Sequence, residues 1–220
     1  AGLMGAGRTE FAMSVFGRSY GQRISGSVHM HGKEVDVSTI RKAIDHGIAY
    51  VTEDRKSAGL VLEEDIRKNV SLANLAAVSE RGVIDDGREF KVANDYRRAL
   101  NIRCAGVDQR VVNLSGGNQQ KVVLSKWLFA QPELLILDEP TRGIDVGAKY
   151  EIYTIIDQLA QAGKGILMIS SELPELLGMC DRIYVMNEGR FVAEYPVAEA
   201  SQERIMRAIV NSGSSVHVPQ

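Results

Sequence analysis

The chain has 220 residues, of which 45% are hydrophobic and 25% charged, so it is long enough to bury one sizeable core. The formal net charge of −2 argues against nucleic acid as a partner. There is no uncharged apolar stretch of about 18 residues to span a bilayer, and no secretory signal opens the chain. Cys104 and Cys180 stand far apart, which predicts two reduced thiols.

The first fifty residues alternate helices and short apolar strands behind a glycine-rich opening. The predicted elements are a helix over 8–15, two strands over 28–35 around a turn at Gly32, a helix over 39–46 capped by Ser38 and ended by Gly47, and a strand over 48–51.

The remaining chain divides into a helical stretch and a second alternating region. Residues 65–102 are rich in helix formers and charge, with a turn near Gly82, and predict a helical insertion beside the main sheet. The later predicted elements are a helix from Asn118 to about Ala130, a strand over 134–137, a helix over 146–161, and strands over 165–169, 182–186 and 190–194. This alternation predicts an α/β fold with a mainly parallel central sheet.

A glycine-rich turn opens the chain. Residues 2–9 read GLMGAGRT, the phosphate-loop spacing G-x-x-x-x-G followed by Arg8, where lysine is expected, and Thr9, where serine or threonine holds magnesium. Glycines let backbone N–H groups wrap phosphates, and the helix start favours negative charge. Taken alone, the pattern is equally compatible with a plain glycine-rich turn before a helix.

Two carboxylates end the most apolar run of the chain. Residues 134–141 read LLILDEPT, so Asp138 and Glu139 follow a predicted central strand, at the edge of the sheet where ligands bind in such folds. One carboxylate can hold magnesium and the next can position an attacking water. The alternative is a pair of solvated acids at a strand end.

A third motif begins the helix predicted near residue 118. Residues 114–121 read LSGGNQQK, and Ser115, Gly116 and Gly117 can present N–H groups and a hydroxyl to an anion. An ordinary capped helix would explain this segment by itself. The order of the motifs, with phosphate loop, helical insertion, this helix start and then the Asp-Glu strand, makes chance a poor explanation.

Together the motifs resemble those of ABC ATPases, over nearly the whole chain, with residues 114–121 resembling the signature sequence. VTEDRK over 51–56, the signature form GGNQQK, and DEPTRGIDVG over 138–147 are similar to the second cassette of bacterial monosaccharide importers, which carry two cassettes in tandem. The resemblance implies a P-loop NTPase with small antiparallel strands. We expect a single ABC ATPase domain over 1–211 that lacks its leading strands, a helical subdomain inserted at about 62–118, and a flexible tail over 212–220.

In ABC proteins two cassettes meet head to tail, and each ATP lies between the phosphate loop of one and the signature of the other. The resemblance assigns magnesium to Thr9 and Asp138. It assigns catalysis to Asp138, Glu139, Glu53 (where a γ-phosphate-sensing glutamine is usual) and Ser171 (where a histidine is usual). The residues assigned to ATP are Gly2, Gly5, Gly7, Arg8, Thr9, Ser115, Gly116, Gly117 and Asp145, the last in the loop that crosses the cassette interface.

This cassette departs from the family pattern in its own nucleotide site. Arg8 replaces lysine, Glu53 replaces glutamine, Ser171 replaces histidine, and Glu10 adds an acid beside the phosphate loop. A planar guanidinium cannot simply replace an ammonium point charge, and added carboxylates oppose phosphates. These departures predict a weak or non-hydrolytic ATP site on this phosphate loop, whereas the signature is intact. The signature is expected to complete a productive site on the partner cassette, and the isolated chain is expected to have little ATPase activity.

The resemblance implies a sugar-transporting ATPase, peripheral at the cytoplasmic face of the bacterial inner membrane. Its expected partners are a second cassette, N-terminal on the same polypeptide, an integral membrane permease and an extracytoplasmic sugar-binding protein. Nucleic acid is not expected, because the chain has neither the long coiled-coil insertion of DNA-repair ABC proteins nor the basic arm of ribosome-binding ones. A non-hydrolytic regulatory cassette and a nucleoside importer stay open as alternatives.

Overall fold

The computed structural model describes residues 1–213 and divides into two compact units. Among these residues, the first unit comprises 1–42 and 168–213, and the second comprises Ala43–Leu167. Of the predicted tail over 212–220, Ser212 lies in the last turn of a helix, and residues 214–220 lie outside the described residues. No helix within residues 1–213 is long and apolar enough to cross a membrane.

The elements follow the chain in the order that the sequence predicts, with several additions. The helices are α1 (Arg8–Val15), α2 (Ile40–Asp45), α3 (Ile66–Ser71), α4 (Asp86–Ala99), α5 (Gly116–Phe129), α6 (Val146–Gln161), α7 (Leu173–Met179) and α8 (Gln202–Gly213). The strands are β1 (Val28–Met30), β2 (Lys33–Val35), β3 (Ile48–Val51), β4 (Ser79–Glu80), β5 (Val83–Ile84), β6 (Leu134–Asp138), β7 (Gly165–Ile169), β8 (Arg182–Asn187) and β9 (Arg190–Pro196). A π-helical turn spans Arg55–Gly59, and 3₁₀ turns span Leu72–Val78, Val111–Asn113 and Val197–Glu199.

The predicted α/β fold with a parallel sheet is confirmed. The central sheet has the order β3-β6-β7, and β3 pairs with β6 in parallel, from Ile48 opposite Leu134 to Val51 opposite Leu137. Every residue of β3 is buried, as are the last four residues of β6. These two apolar runs therefore form strands covered on both faces, while β1–β2, β4–β5 and β8–β9 are small antiparallel pairs.

Helices cover the sheet in the second unit. In this unit α5 packs against β3, α3 and α6, and α3 packs against α4. The predicted insertion is helical as expected, but it also contains the hairpin β4–β5, which turns through Arg81 and Gly82 with positive φ. The helix that carries the third motif begins at Gly116, two residues earlier than predicted.

The predicted cap of α2 is wrong by one residue. The N–H of Ser38 donates to Asp36 Oδ1 at 2.8 Å, so Ser38 belongs to the preceding turn. Thr39 Oγ1 instead accepts from the N–H of Lys42 at 3.3 Å. The helix ends at Asp45, one residue before the predicted end, and Gly47 follows with a φ of 76°, a conformation that favours glycine after a helix.

The first unit holds the glycine-rich opening against an antiparallel pair. The N-terminal amine of Ala1 donates to the carbonyl of Tyr184 on β8 at 2.7 Å, and the Ala1 carbonyl accepts from Met186 N–H at 2.8 Å. The rings of Phe11 on α1 and Phe191 on β9 meet edge to face, with centroids 5.2 Å apart. These contacts fix both ends of the loop that begins α1.

Candidate functional site

The glycine-rich loop needs its glycines for backbone reasons. Gly5 and Gly7 have φ values of 78° and 94°, in the left-handed region that L side chains rarely adopt. A Cβ at Gly2 would lie 2.5 Å from the carbonyl oxygen of Met186. The Ala6 N–H donates to the Leu3 carbonyl at 3.1 Å and closes the turn. The loop is therefore a backbone cradle that larger residues would deform.

Helix α1 starts directly from this cradle. Its N-cap is Gly7, which has no side chain to satisfy the N–H groups of the first turn. Arg8 and Thr9 are the first two residues of the helix, and Glu10 places an acid in the same turn. An uncapped helix start attracts anions, and a carboxylate in that turn competes with them.

The guanidinium of Arg8 is engaged by the protein itself. Its Nη1 donates to the carbonyl oxygen of Ser170, at the end of β7, at 2.7 Å. Ser170 is fully buried, and its Oγ donates to Glu175 Oε2 at 2.5 Å and accepts from Glu172 N–H at 2.9 Å. Ser171 is exposed in the turn that follows. Arg8 is thus tied to a hydrogen-bonded strand end in the first unit.

Two acids end β6 in different environments in the second unit. Asp138 is fully buried, and its Oδ2 accepts from the hydroxyl of Tyr50 on the neighbouring strand at 2.8 Å. Glu139 is half-buried and has a φ of 48°, uncommon for a non-glycine residue. This conformation turns the chain, and the Arg142 N–H donates to the Glu139 carbonyl at 3.1 Å.

Glu53 lies beside the turn that follows Glu139. Its carboxylate forms an ion pair with Arg142. The residue that the sequence places at a glutamine position is therefore joined electrostatically to the DEPTRGID segment. A glutamine could donate or accept a hydrogen bond here but could not form the ion pair.

The serine-and-glycine motif forms the start of α5. Ser115 is exposed at the N-cap position, and its hydroxyl makes no hydrogen bond to the backbone N–H groups of the first turn. Its Oγ accepts instead from the side-chain amide of Asn118 at 2.9 Å, so that the hydroxyl hydrogen can donate elsewhere. The Asn118 side-chain oxygen accepts from Arg103 N–H at 2.8 Å, which fixes the amide orientation. The first turn of α5 therefore offers its own donors to an anion.

The starts of α5 and α6 line one shallow depression of about 200 Å³. A Cβ at Gly117 would lie 2.5 Å from the Cβ of Ala148, so only glycine permits this approach of the two helices. Asp145 caps α6 by accepting from Ala148 N–H at 2.9 Å. The depression is lined by Arg103, Ser115, Gly117, Asn118, Asp145, Gly147, Ala148 and Glu151.

The predicted site residues divide between the two units. The glycine-rich loop, Arg8, Thr9 and Ser171 belong to the first unit, and the others belong to the second. Within the second unit the structure joins the Ser115–Gly117 motif to Asp145 around the depression. Sequence reasoning missed Tyr50, Asn118 and Arg142 as contributors. Asn118 and Arg142 could have been found from the sequence, because they lie inside the motifs GGNQQK and DEPTRGIDVG.

The fold and these motifs define an ATP-binding cassette. The ABC transporter family matches residues 1–142, more than half of the chain, and the chain therefore belongs to this family. A nucleotide-free ATP-binding cassette from an ABC transporter has a TM-score of 0.76 at 18% identity, covering 100% of this chain and 86% of its own. A second cassette of an ABC transporter has a TM-score of 0.78 at 19% identity, covering 94% and 85%. At these identities the structures show the fold.

Curated relatives are similar over almost the whole chain. The L-arabinose transport ATP-binding protein AraG of Geobacillus stearothermophilus is 64% identical over 96% of this chain. The xylose import ATP-binding protein XylG of Thermoanaerobacter pseudethanolicus is 52% identical over 94% of it. The chain spans 41% of the length of each of these relatives.

Proposed function

We propose that this chain is the second cassette of a tandem ATP-binding subunit that energises import of a monosaccharide. In this proposal its signature segment completes the productive ATP site of the partner cassette, while its own phosphate loop forms a weak or non-hydrolytic site. One contrast carries the proposal. Arg8 donates a hydrogen bond to the Ser170 carbonyl, whereas no capping side chain accepts from the backbone N–H groups at the start of α5.

The weakness of the chain's own loop follows from Arg8 and Glu10. In phosphate loops a lysine reaches the β- and γ-phosphates as a compact charge. Here one guanidinium nitrogen donates to a carbonyl beside Ser171, so Arg8 would have to bind a phosphate with its remaining N–H donors. Losing only about 2.8 kcal/mol of transition-state stabilisation slows turnover about a hundredfold.

We call the surface formed by the starts of α5 and α6, from Ser115 to Gly117 and from Asp145 to Tyr150, the signature face. It has the features of a surface that receives a nucleotide from another cassette. The 14-residue helix α5 begins with Gly116 and Gly117, and Ser115 is its N-cap. The dipole of this helix favours a terminal phosphate at its start. Beside them, Val146 and Tyr150 on α6 are 85% and 73% exposed. Apolar side chains grouped in this way are typical of a surface that a partner covers, and Asp145 stands next to them at the interface position.

The magnesium and catalytic assignments come from the family resemblance, and the donor chemistry of the residues is compatible with them. A hydroxyl at Thr9 and a carboxylate at Asp138 are oxygen ligands of the kind magnesium takes, and the buried Asp138 carboxylate already accepts from Tyr50. Magnesium, when bound with ATP, would neutralise phosphate charge. Glu139 would polarise water at this cassette's own site, with Glu53 and Ser171 at the γ-phosphate-sensing positions.

The cargo and partners are inferred from the relatives. AraG and XylG are named for arabinose transport and xylose import, which favours a sugar over a nucleoside. A permease, an extracytoplasmic sugar-binding protein and an N-terminal cassette on the same polypeptide complete the proposed transporter. The chain would then act at the cytoplasmic face of the bacterial inner membrane.

A comparison of Ser115→Arg with Arg8→Ala tests the proposal in the full tandem protein assembled with its permease. Ser115→Arg fills the helix start and is expected to lower ATPase turnover at least a hundredfold, whereas Arg8→Ala is expected to lower it less than fivefold. Ser27→Arg, at an exposed serine, is the matched control. Equal losses from Ser115→Arg and Arg8→Ala would contradict the asymmetry.

The Arg8–Ser170 contact also favours a second candidate, a regulatory cassette that binds ATP without cleaving it. In that case the tandem protein would bind ATP yet release no phosphate, with or without its membrane partner. Phosphate release that rises when the permease is added would favour the importer.

A further inference from the structure

Arg55 occupies a position that none of the functional assignments above uses. It begins the π-helical turn two residues after Glu53. Its Nη1 donates to the carbonyl of Arg142 at 3.0 Å, and its Nη2 approaches the carbonyl of Gly143 at 3.4 Å. The guanidinium therefore holds the turn that leads from Glu139 to Asp145.

The same guanidinium lies against the start of α5. A Cβ built on Gly116 would lie 2.8 Å from Arg55 Nη2 and 3.3 Å from the carbonyl of Gly143. Three segments thus meet at Gly116: the π-helical turn, the 142–143 turn and the signature helix. The Nε of Arg55 is buried and has no hydrogen-bond partner among residues 1–213, so its described hydrogen bonds are those of Nη1 and Nη2 to the two carbonyls.

This arrangement is electrostatically unfavourable until an anion is present. A helix N-terminus carries about half a positive charge, so a cation beside it is repelled. Arg55 nevertheless faces the first residue of α5. A bound phosphate would reverse the sign of this interaction, because both the helix start and the guanidinium attract it.

The contacts of Arg55 also control geometry. Gly143 lies two residues before Asp145, which caps α6, and Gly116 lies beside Gly117, which touches Ala148. One turn further along α5, Lys121 forms an ion pair with Glu151 of α6 at 2.5 Å. Arg55 therefore joins the 142–143 turn to the region beside Gly116, closer to the start of α5 than the Lys121–Glu151 ion pair is.

We propose that Arg55 is a positioning residue of the signature face. It holds the 142–143 turn against α5 so that Ser115, Gly117 and Asp145 keep one spacing around the terminal phosphate of a nucleoside triphosphate carried by the partner cassette. This inference rests on the proposed function. It requires arginine, because a planar fork can donate to two carbonyls at once and an ammonium on a flexible stem cannot hold that plane.

The test uses the full tandem protein with its permease and measures the kcat and KM of ATP hydrolysis. Arg55→Met is expected to lower kcat at least tenfold with KM changed less than twofold, because the signature acts after ATP has bound. Arg55→Lys, which keeps the charge, is expected to lower kcat at least fivefold. Lys56→Met removes the neighbouring exposed charge and is expected to leave both constants within twofold.

A double-variant cycle separates positioning from general destabilisation. In a Ser115→Ala background, Arg55→Lys is expected to cause less than a twofold further loss, because both act through one face. The proposal would be overturned if the kcat losses of Ser115→Ala and Arg55→Lys multiply in the double variant. A wild-type kcat in Arg55→Lys would also overturn it, even if Arg55→Met fails to fold. If Ser115→Ala keeps full turnover, the proposed function fails as well. If Ser115→Ala lowers kcat but the Arg55 variants keep the wild-type kcat, the Arg55 proposal alone is overturned.

Discussion

At the scale of single residues, we propose that Arg8 limits what the glycine-rich loop can bind. The backbone of the loop has positive φ values at Gly5 and Gly7, and the cation that follows the loop donates to Ser170. The charge beside the cradle therefore already has one acceptor within the protein. The departure in this loop lies in one side chain and not in the backbone.

Restoring the lysine is expected to restore affinity. Arg8→Lys replaces the planar fork by a compact ammonium that binds phosphate as a point charge, and we expect ATP to bind this chain at least about fivefold tighter, or about 1 kcal/mol. Calorimetric titration with ATP measures the change. Arg190→Lys, at an exposed arginine of β9, is the control, and unchanged affinity in Arg8→Lys would refute this reading of the loop.

Lys126 makes stability depend on pH. It is 6% exposed on α5, and its Nζ donates to the Gly59 carbonyl at 2.6 Å. Burial lowers the pKa of Lys126 to about 8, whereas an unfolded lysine titrates near 10.4. Between these values the unfolded chain binds more protons than the folded chain, so the free energy of unfolding rises with pH.

The expected contribution of Lys126 to this rise is about 2 kcal/mol between roughly pH 7 and pH 9.5. Lys126→Met lacks the titrating group and is expected to lose that part of the pH dependence. Urea denaturation of both proteins at the two pH values measures it. The same pH dependence in both would show that Lys126 does not titrate in this range.

At the scale of elements, the packing of α5 on α6 supports the signature face. Gly117 and Ala148 bring the helix starts together, and the Lys121–Glu151 ion pair joins the next turns. Lys121 is almost fully buried, and it also donates to the Asn101 carbonyl at 2.8 Å. Its hydrogen bond lowers the pKa of Glu151, so this contribution to stability is lost as pH falls through the range where Glu151 protonates.

Removing Glu151 leaves a buried ammonium with one carbonyl partner. Glu151→Ala is expected to lower the free energy of unfolding by about 2–3 kcal/mol, measured by urea denaturation. Glu203 pairs with Arg207 on the surface of α8, and Glu203→Ala is expected to cost less than about 0.5 kcal/mol. Similar costs from the two substitutions would contradict a stabilising role for the buried pair.

Elements with strong local patterns were predicted from the sequence, and those fixed by tertiary contacts were not. The bounds of α1, α6 and β7 agree with prediction because apolar spacing and glycines mark them. The π-helical turn over Arg55–Gly59 was missed, because it depends on Asp54 accepting from Lys56 and Ser57 N–H groups. Helix α8 was also missed, although Ile205 and Ile209 form a buried stripe that could have indicated it.

At the scale of the whole molecule, the sequence located the motifs but not their connections. The sequence predicted the loop at 2–9 and placed the Ser115–Gly117 motif beside the start of a helix. The contacts of Arg55 with Arg142 join residues 87 apart in the chain, and no local pattern encodes such a pair. Likewise, Arg8 was identified as a departure from lysine, but its hydrogen bond to Ser170, 162 residues away, comes only from the fold.

The central claim is that two ATP sites form between this chain and its partner cassette. This chain supplies the signature to the productive site and the weaker phosphate loop to the second site. The most direct test is a structure of the intact tandem protein trapped with a non-hydrolysable ATP analogue. We predict that the terminal phosphate bound by the partner cassette lies about 3 Å from the Ser115 hydroxyl and the Gly117 N–H. A terminal phosphate that does not contact this helix start, with Arg8 released from Ser170 to bind its own triphosphate, would contradict the account.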